Sequence, residues 1–516
     1  MKSLIVLLFG ASSLMGAVFN TPGDKMLARY FQTETDRLAA GSLADVKTLE
    51  DWNTRKDRYR REMHEMLGLD PAPKRTPLKV TVTGKLDHDD FEVWKLHYQS
   101  IPRLYVTANL YVPKGLKKPA PAILYVCGHG KVKKDGVSYG NKVHYQHHGI
   151  WFARHGYVCL TIDTLQLGEI EGIHHGTYNH DMWWWNSRGY SSASVEAWNS
   201  VRALDYLETL DFVDKNRFGV TGRSGGGAYS WWISVLDERI KVSAPVAGIT
   251  SLKNHVYAGF QNSGRLAHGV VEGHCDSMFH VNTYRWDFDH IAALVAPRPL
   301  MILNTDDDRI FPLDGVTDVF NSVRRIYDLH GQRTKLGLTI VPGGHSDTQP
   351  LQVPAFNWFN RHLKGEDGPI TVAAVKLFEP EQLKVFNELP GDSINADIQE
   401  TFTQLADDKS KPSPKMVELL RAKTFRGWPA KENSLNAKRA FSTEYEGVVF
   451  EAIDFDSQEH IRLRAYIAYR KGLEKPSRVD VEVLNEEYWN KYLKLGRPAF
   501  AEVWSEELKL AKIKAD

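Results

Sequence analysis

The sequence predicts an α/β architecture, a mostly parallel sheet with helices on both faces. Three observations carry this. From Thr76 to about Lys364, apolar strand-like runs alternate with helix-patterned stretches, the order of a parallel sheet with crossover helices. The run Ala122-Ile123-Leu124-Tyr125-Val126-Cys127 is apolar throughout, as a strand buried on both faces must be. A third run, Arg217-Phe218-Gly219-Val220-Thr221, enters Gly222-Arg223-Ser224-Gly225-Gly226 and then a helix start at Gly227–Ile233. Strand, sharp turn and helix form the setting in which Gly-x-Ser-x-Gly presents a nucleophilic serine.

Taken in order, the chain opens with Lys2 followed by Leu4-Ile5-Val6-Leu7-Leu8-Phe9 and the small residues Gly10-Ala11-Ser12-Ser13. This is the layout of a secretory signal peptide over residues 1–17, with cleavage near Gly16 or Ala17, and it predicts a secreted or periplasmic protein. Residues 18–75 are charged and helix-patterned and are expected to form an N-terminal helical extension. Residues 76–366 hold the α/β domain. Within it, Glu196–Leu207 places Val201, Leu204 and Leu207 on one face, as a crossover helix before the serine strand should. Residues 367–440 are polar and loop-rich, with Pro412 and Pro414, and read as a connector. In residues 441–516, Lys471-Gly472-Leu473-Glu474-Lys475-Pro476 echoes Lys114-Gly115-Leu116-Lys117-Lys118-Pro119, each between strand-like runs. The tail therefore reads as a partial repeat of the domain's beginning, with Val479–Leu484 as its next strand. Asn485-Glu486-Glu487 replaces Gly128-His129-Gly130 there and no Gly-x-Ser-x-Gly follows, so the copy is expected to carry no catalytic set.

Composition bounds the partners. With 516 residues, 42% of them hydrophobic, the chain can bury a large core. It carries 65 basic and 64 acidic residues, which argues against nucleic acid or an anionic membrane as its main partner. The three cysteines are Cys127 and Cys159, in buried-strand patterns, and Cys275, in a loop. No disulfide framework is expected.

A serine needs a base to become a nucleophile, and the base needs an acid to orient it. After Ser224, the strand-like run Pro299–Asn304 ends in Thr305-Asp306-Asp307-Asp308-Arg309, which sets acids at a strand's C-terminal tip. The run Leu336–Val341 then leads into Pro342-Gly343-Gly344-His345-Ser346-Asp347. Ser, Asp and His follow in that order. The acyl-transfer intermediate carries a negative oxygen and needs two preorganised donors. Gly225 supplies the first, and the second is expected from the His129–Gly130 region.

These motifs resemble the α/β-hydrolase superfamily, within it the dienelactone-hydrolase-like and acetyl xylan esterase-like branch, over roughly Leu78 to Lys364. A further run, His274 to Asp287, resembles secreted members of the acetyl xylan esterase type. The resemblance implies an α/β-hydrolase fold, with a partial hydrolase-like repeat in the tail, and a serine carboxylic-ester hydrolase of the acetyl xylan type. It favours Asp308 as the acid, four residues before Pro312, and leaves Asp306 and Asp307 open. A peptidase similar to the prolyl-oligopeptidases is the alternative, for which the chain shows no propeller-blade repeats.

Substrate contacts are expected in the insertion His180–Tyr190, where Trp184 and Trp185 offer flat apolar faces to sugar rings and Arg188 a donor to a substrate oxygen. Acetylated carbohydrate or another small ester is the expected partner. Histidines cluster at His144, His147 and His148, at His174, His175 and His180, and at His274 and His280, but in no His-Glu-x-x-His or Cys-x-x-Cys frame. No metal and no cofactor is expected, since a serine mechanism requires neither.

Overall fold

The computed structural model describes residues 22–258, 280–406, 411–429 and 434–511. The expected signal peptide and Cys275 lie outside them. Two compact units divide these residues, one of residues 31–426 and one joining residues 22–30 to 427–511.

The larger unit is built on a sheet with nine strands among the described residues. The chain first lays down helices α1 (Pro22–Gly41) and α2 (Leu49–Met66). In α2 the Thr48 hydroxyl accepts the Asp51 N–H while the Asp51 carboxylate accepts the Thr48 N–H, a reciprocal cap that fixes the helix start. Strands β1 (Thr81–Asp87), β2 (Phe91–Ile101) and β3 (Leu104–Pro113) form an antiparallel meander. Then come β4 (Ala120–Val126), a short hairpin of β5 (Lys133–Lys134) and β6 (Val137–Ser138), helix α3 (Gln146–Arg154) and β7 (Val158–Ile162). Two short helices, α4 (Gly176–His180) and α5 (Trp184–Ser187), precede the crossover helix α6 (Ser192–Leu207). Strand β8 (Val213–Arg223), helix α7 (Gly225–Leu236), β9 (Ile240–Val246), β10 (Leu300–Thr305) and β11 (Leu336–Val341) complete the sheet.

The strand order is β1-β2-β3-β7-β4-β8-β9-β10-β11. Neighbours from β7 onward pair in parallel, whereas β3 meets β7 antiparallel. This is the α/β-hydrolase fold that the sequence predicts. Every residue of β4 is buried, which its unbroken apolar run requires. Cys127 and Cys159 are buried and unbridged, as core residues.

Residues 367–403 are mostly loop and pack into the larger unit. Leu383 and Ile398 are fully buried. Buried Glu169 accepts the N–H groups of Val385 (2.7 Å) and Phe386 (2.8 Å), and Asn109 donates to the Leu383 carbonyl (3.1 Å). Composition showed polar residues here; it did not show that the backbone would find buried partners.

The smaller unit contains an antiparallel meander, β12 (Lys438–Tyr445), β13 (Val448–Gln458) and β14 (Ile461–Arg470). Helices Glu486–Phe500 and Ser505–Leu510 follow, around Phe450, Leu493, Trp504 and Leu508. Both echoing turns follow an antiparallel meander, and Gly115 and Gly472 both take positive φ there (71° and 79°). The echo stops there. Val479–Leu484 alternates like a strand yet forms none, and Val483 is 98% exposed. Among the described residues no neighbouring strand pairs with it, so its exposed backbone is left to water rather than to a ladder.

Candidate active site

Ser224 sits where β8 turns into α7. Its φ of 60° and ψ of −121° fall outside the regions an L residue occupies at ease, so the surroundings must hold it there. Its N–H donates to the Val246 carbonyl (2.9 Å), and its own carbonyl accepts the Ala228 N–H (3.0 Å). The flanking glycines are a steric requirement. A Cβ on Gly222 would stand 2.2 Å from the Val126 carbonyl oxygen, and one on Gly226 2.1 Å from the same atom. β4 and the elbow approach too closely for any side chain.

His345, on the loop after β11, reaches Ser224. Its Nε2 lies 3.0 Å from Ser224 Oγ, and its Nδ1 lies 2.7 Å from Asp308 Oδ2. The other oxygen of Asp308 accepts the N–H groups of Ile310 (2.9 Å) and Phe311 (3.0 Å). Burial pushes the Asp308 carboxyl up. The His345 hydrogen bond and charge, with the two N–H groups, outweigh it, and the carboxyl lies below its ordinary value. Asp306 and Asp307 are exposed, and Asp306 instead accepts the Gly343 N–H (2.9 Å). Of the acids the sequence left open, only Asp308 faces the imidazole.

Of the residues expected at the oxyanion, Gly225 directly follows Ser224 and the His129 ring lies against Gly225. Gly225 is the first residue of α7, where the N–H has no partner inside its own helix. A Cβ on Gly128 would come within 3.2 Å of Ser224 Cβ, and one on Gly225 within 2.9 Å of the His129 ring. The loop is held from behind. Asn141 donates to the Gly128 carbonyl (2.6 Å), and fully buried Lys142 bridges Asp163 (2.8 Å) and Glu169 (2.6 Å).

The expected substrate contacts fare differently. Trp185 is fully buried, edge-on to Tyr190 with ring centroids 4.8 Å apart, and its ring fills the space beside Gly176. It supports the loop that carries His174 and His175 and presents no face to a sugar. Arg188 donates to the Glu400 carbonyl (2.8 Å) and lies over the Trp184 ring (5.3 Å). Trp184 remains partly exposed. The correction has a simple cause: in a helical turn neighbouring side chains point about 100° apart, so Trp184 can stay at the surface while Trp185 closes the core.

Two of the histidine clusters gain a member that the sequence did not assign to them, His129 in one and Asp347 in the other. His129 Nε2 lies 2.8 Å from His174 Nε2, with His175 alongside. His147 Nε2 and His148 Nε2 approach Asp347 Oδ2 at 3.3 and 2.9 Å. Burial lowers His129 to about 3, His147 to about 4 and His175 to about 4, so their rings stay neutral at pH 7. Both sets carry donors that transition metals accept. In the first, however, the 2.8 Å gap is that of a hydrogen bond. A tetrahedral ion bound at about 2.0–2.1 Å would hold two imidazole nitrogens about 3.3 Å apart. The sequence shows that His129 and His174 each follow a strand-like run; that those strands are neighbours, so that their C-terminal loops converge, is decided by the sheet order.

The Abhydrolase family model matches residues 39–336, more than half of the chain and all of the elbow and acid loop. The chain belongs to the Abhydrolase family. YtaP of Bacillus subtilis (strain 168) is 24% identical to this abhydrolase over 310 residues, which are 59% of this chain and 98% of YtaP. The 4-O-methyl-glucuronoyl methylesterase of Phanerochaete carnosa (strain HHB-10118-sp) is 24% identical over 244 residues, 42% of this chain and 58% of its own. Among solved structures, methylesterase BT1017 superposes with a TM-score of 0.50 at 20% identity, covering 70% of this chain and 77% of its own. That likeness shows a shared fold.

Proposed function

We propose that this abhydrolase is a serine carboxylic-ester hydrolase acting on carbohydrate esters, with acetyl groups on a polysaccharide such as xylan as the leading substrate. The observation that carries the reading is the continuous chain from Ser224 Oγ through His345 to Asp308. Ser224 Oγ attacks the ester carbonyl while His345 Nε2 takes its proton. Asp308 holds the imidazole with Nδ1–H toward itself and stabilises the imidazolium. The Gly225 N–H and a donor from the His129 loop receive the oxyanion. His345 then protonates the leaving alkoxide, and water activated by the same imidazole releases the acid. Export rests on the signal-like residues 1–17; among the described residues no helix is long and apolar enough to cross a membrane.

A second ester class follows from the relatives named as methylesterases. A uronate methyl ester places the sugar on the acid side and a small alcohol on the other, and the same serine chemistry cleaves it. The test is hydrolysis of 4-nitrophenyl acetate, acetylated xylan and methyl glucuronate by the wild type and by Ser224→Ala. Activity on acetate and xylan that disappears in the variant supports the acetyl reading. Turnover of methyl glucuronate alone moves the assignment to uronate esters. Peptide cleavage without ester cleavage sinks both.

A further inference from the structure

We infer that the His129 side chain is itself an oxyanion donor, through Nδ1–H, and that His174 fixes the tautomer that makes it one. The inference rests on the serine-esterase reading and adds to it a side-chain donor besides the main-chain pair.

Position comes first. The edge of the His129 ring bearing Cε1 and Nδ1 faces Gly225: a Cβ on Gly225 would meet Cε1 at 2.9 Å and Nδ1 at 3.2 Å. Gly225 carries the N–H that receives the oxyanion, so Nδ1 stands at the rim of the same small volume. The opposite nitrogen, Nε2, is engaged by His174 at 2.8 Å. His129 is therefore clamped at one nitrogen and presents the other toward the reacting carbonyl.

The tautomer follows from partners. Two neutral imidazoles sharing one hydrogen bond have one proton between the two facing nitrogens. If His174 carried its proton on Nδ1, that buried N–H would have no acceptor: Nδ1 makes no hydrogen bond, and the nearest carboxylate oxygen, Glu196 Oε1, is 3.8 Å away. That oxygen already accepts the Leu165 N–H (2.5 Å), and burial raises Glu196 to about 8, which keeps it uncharged at pH 7. An orphaned buried N–H is costly and rare. His174 therefore carries its proton on Nε2 and donates to His129 Nε2, which leaves the His129 proton on Nδ1. The groups facing His129 are His174, His175 and His345. Burial and the neighbouring His175 and His345 keep the ring neutral, a donor that loses no proton. As the Ser224 Oγ–carbon bond forms, the carbonyl π pair moves to oxygen and the Ser224 proton to His345. His129 gives only a hydrogen bond, like the neutral imidazole electrophile of other enzymes.

The experiment uses the full chain with 4-nitrophenyl acetate. His129→Ala is expected to lower kcat by about 10²–10³-fold with KM within a few-fold, the size of one lost oxyanion donor. His129→Asn places an amide nitrogen where Nδ1 stood and is expected to recover at least about ten-fold of that loss. His174→Phe removes the clamp, and a nitrogen-detected NMR spectrum is expected to show the His129 proton leaving Nδ1. Far-ultraviolet circular dichroism and melting confirm that each variant folds. Ester turnover by His129→Ala equal to wild type, or a wild-type spectrum with the proton on His129 Nε2, overturns the inference. A fluorophosphonate probe separates the two levels. It still labels Ser224 to completion in His129→Ala if the serine reading holds, whereas a wild-type enzyme that neither labels nor cleaves esters sinks the parent reading instead.

Discussion

The loop after β11 carries two histidine–carboxylate contacts only two residues apart, and they behave differently. In one, Asp308 holds His345, whose far nitrogen stands 3.0 Å from a serine hydroxyl. In the other, Asp347 is held by His147 and His148, whose remaining nitrogens are buried and meet no partner. The bonding is alike, and so is the chemistry of each group. What differs is the third member. A histidine–carboxylate pair becomes a base only when its outer nitrogen meets a nucleophile that a strained turn has brought to it. Without one, it is an anchor. Here Asp347 fastens the same loop that carries His345, the base of the proposed mechanism.

The largest effect should come from removing the proposed nucleophile. Ser224→Ala is expected to lower kcat on 4-nitrophenyl acetate by about 10⁶-fold, with wild-type melting, since the elbow backbone stays held by its glycines. Next is the orienting acid: Asp308→Asn should cost about 10⁴-fold in kcat, read by the same assay. The matching change in the anchor, Asp347→Asn, sharpens the comparison. It should cost about 1–3 kcal/mol of stability in denaturant unfolding, because buried ring nitrogens lose a charged acceptor, with only a few-fold change in kcat. Burial raises Asp347, but His148 and His147 outweigh it and hold the carboxyl well below the ordinary value. Its contribution is thus complete above the unfolded carboxylate range, near pH 4, and is lost only as pH falls through the lower folded value. Equal stability of Asp347→Asn and wild type at pH 7 would break the comparison.

A further test is a pH dependence behind His174, away from the reacting groups. Glu196 is raised to about 8 by burial. A carboxyl raised in the folded state binds its proton more tightly there, so wild-type stability falls as pH climbs from about 4 through 8. Glu196→Gln stays neutral. Its melting temperature relative to wild type should therefore rise between pH 5 and pH 9; a constant difference would mean that Glu196 is already charged.

Much of the site was readable along the chain, and the reasons are local. The elbow is legible because glycine spacing reports a close approach that any Cβ would block, as at Gly222 and Gly226. The histidine and acid loops are legible because each follows an apolar strand. Trp185 was misread because an aromatic in a short insertion has no periodicity to tell the inner face from the outer. Val479–Leu484 was misread for a related reason: alternation is necessary for a strand, but pairing is what makes one.

The sequence by itself determined the sheet-forming runs, the order of Ser224, the acid loop and His345, and the elbow. Each of these depends on residues a few positions apart, through backbone sterics and hydrophobic period. The tertiary structure alone decided that Asp308 and not Asp306 faces the imidazole, that Asp347 is an anchor, and that His129 meets His174. Those contacts join residues 37 to 200 positions apart. The His129–His174 and Asp308–His345 contacts exist because β7 pairs beside β4, and β10 beside β11, bringing the loops at the ends of those strands together; the Asp347 contact needs helix α3 to pack against the loop after β11.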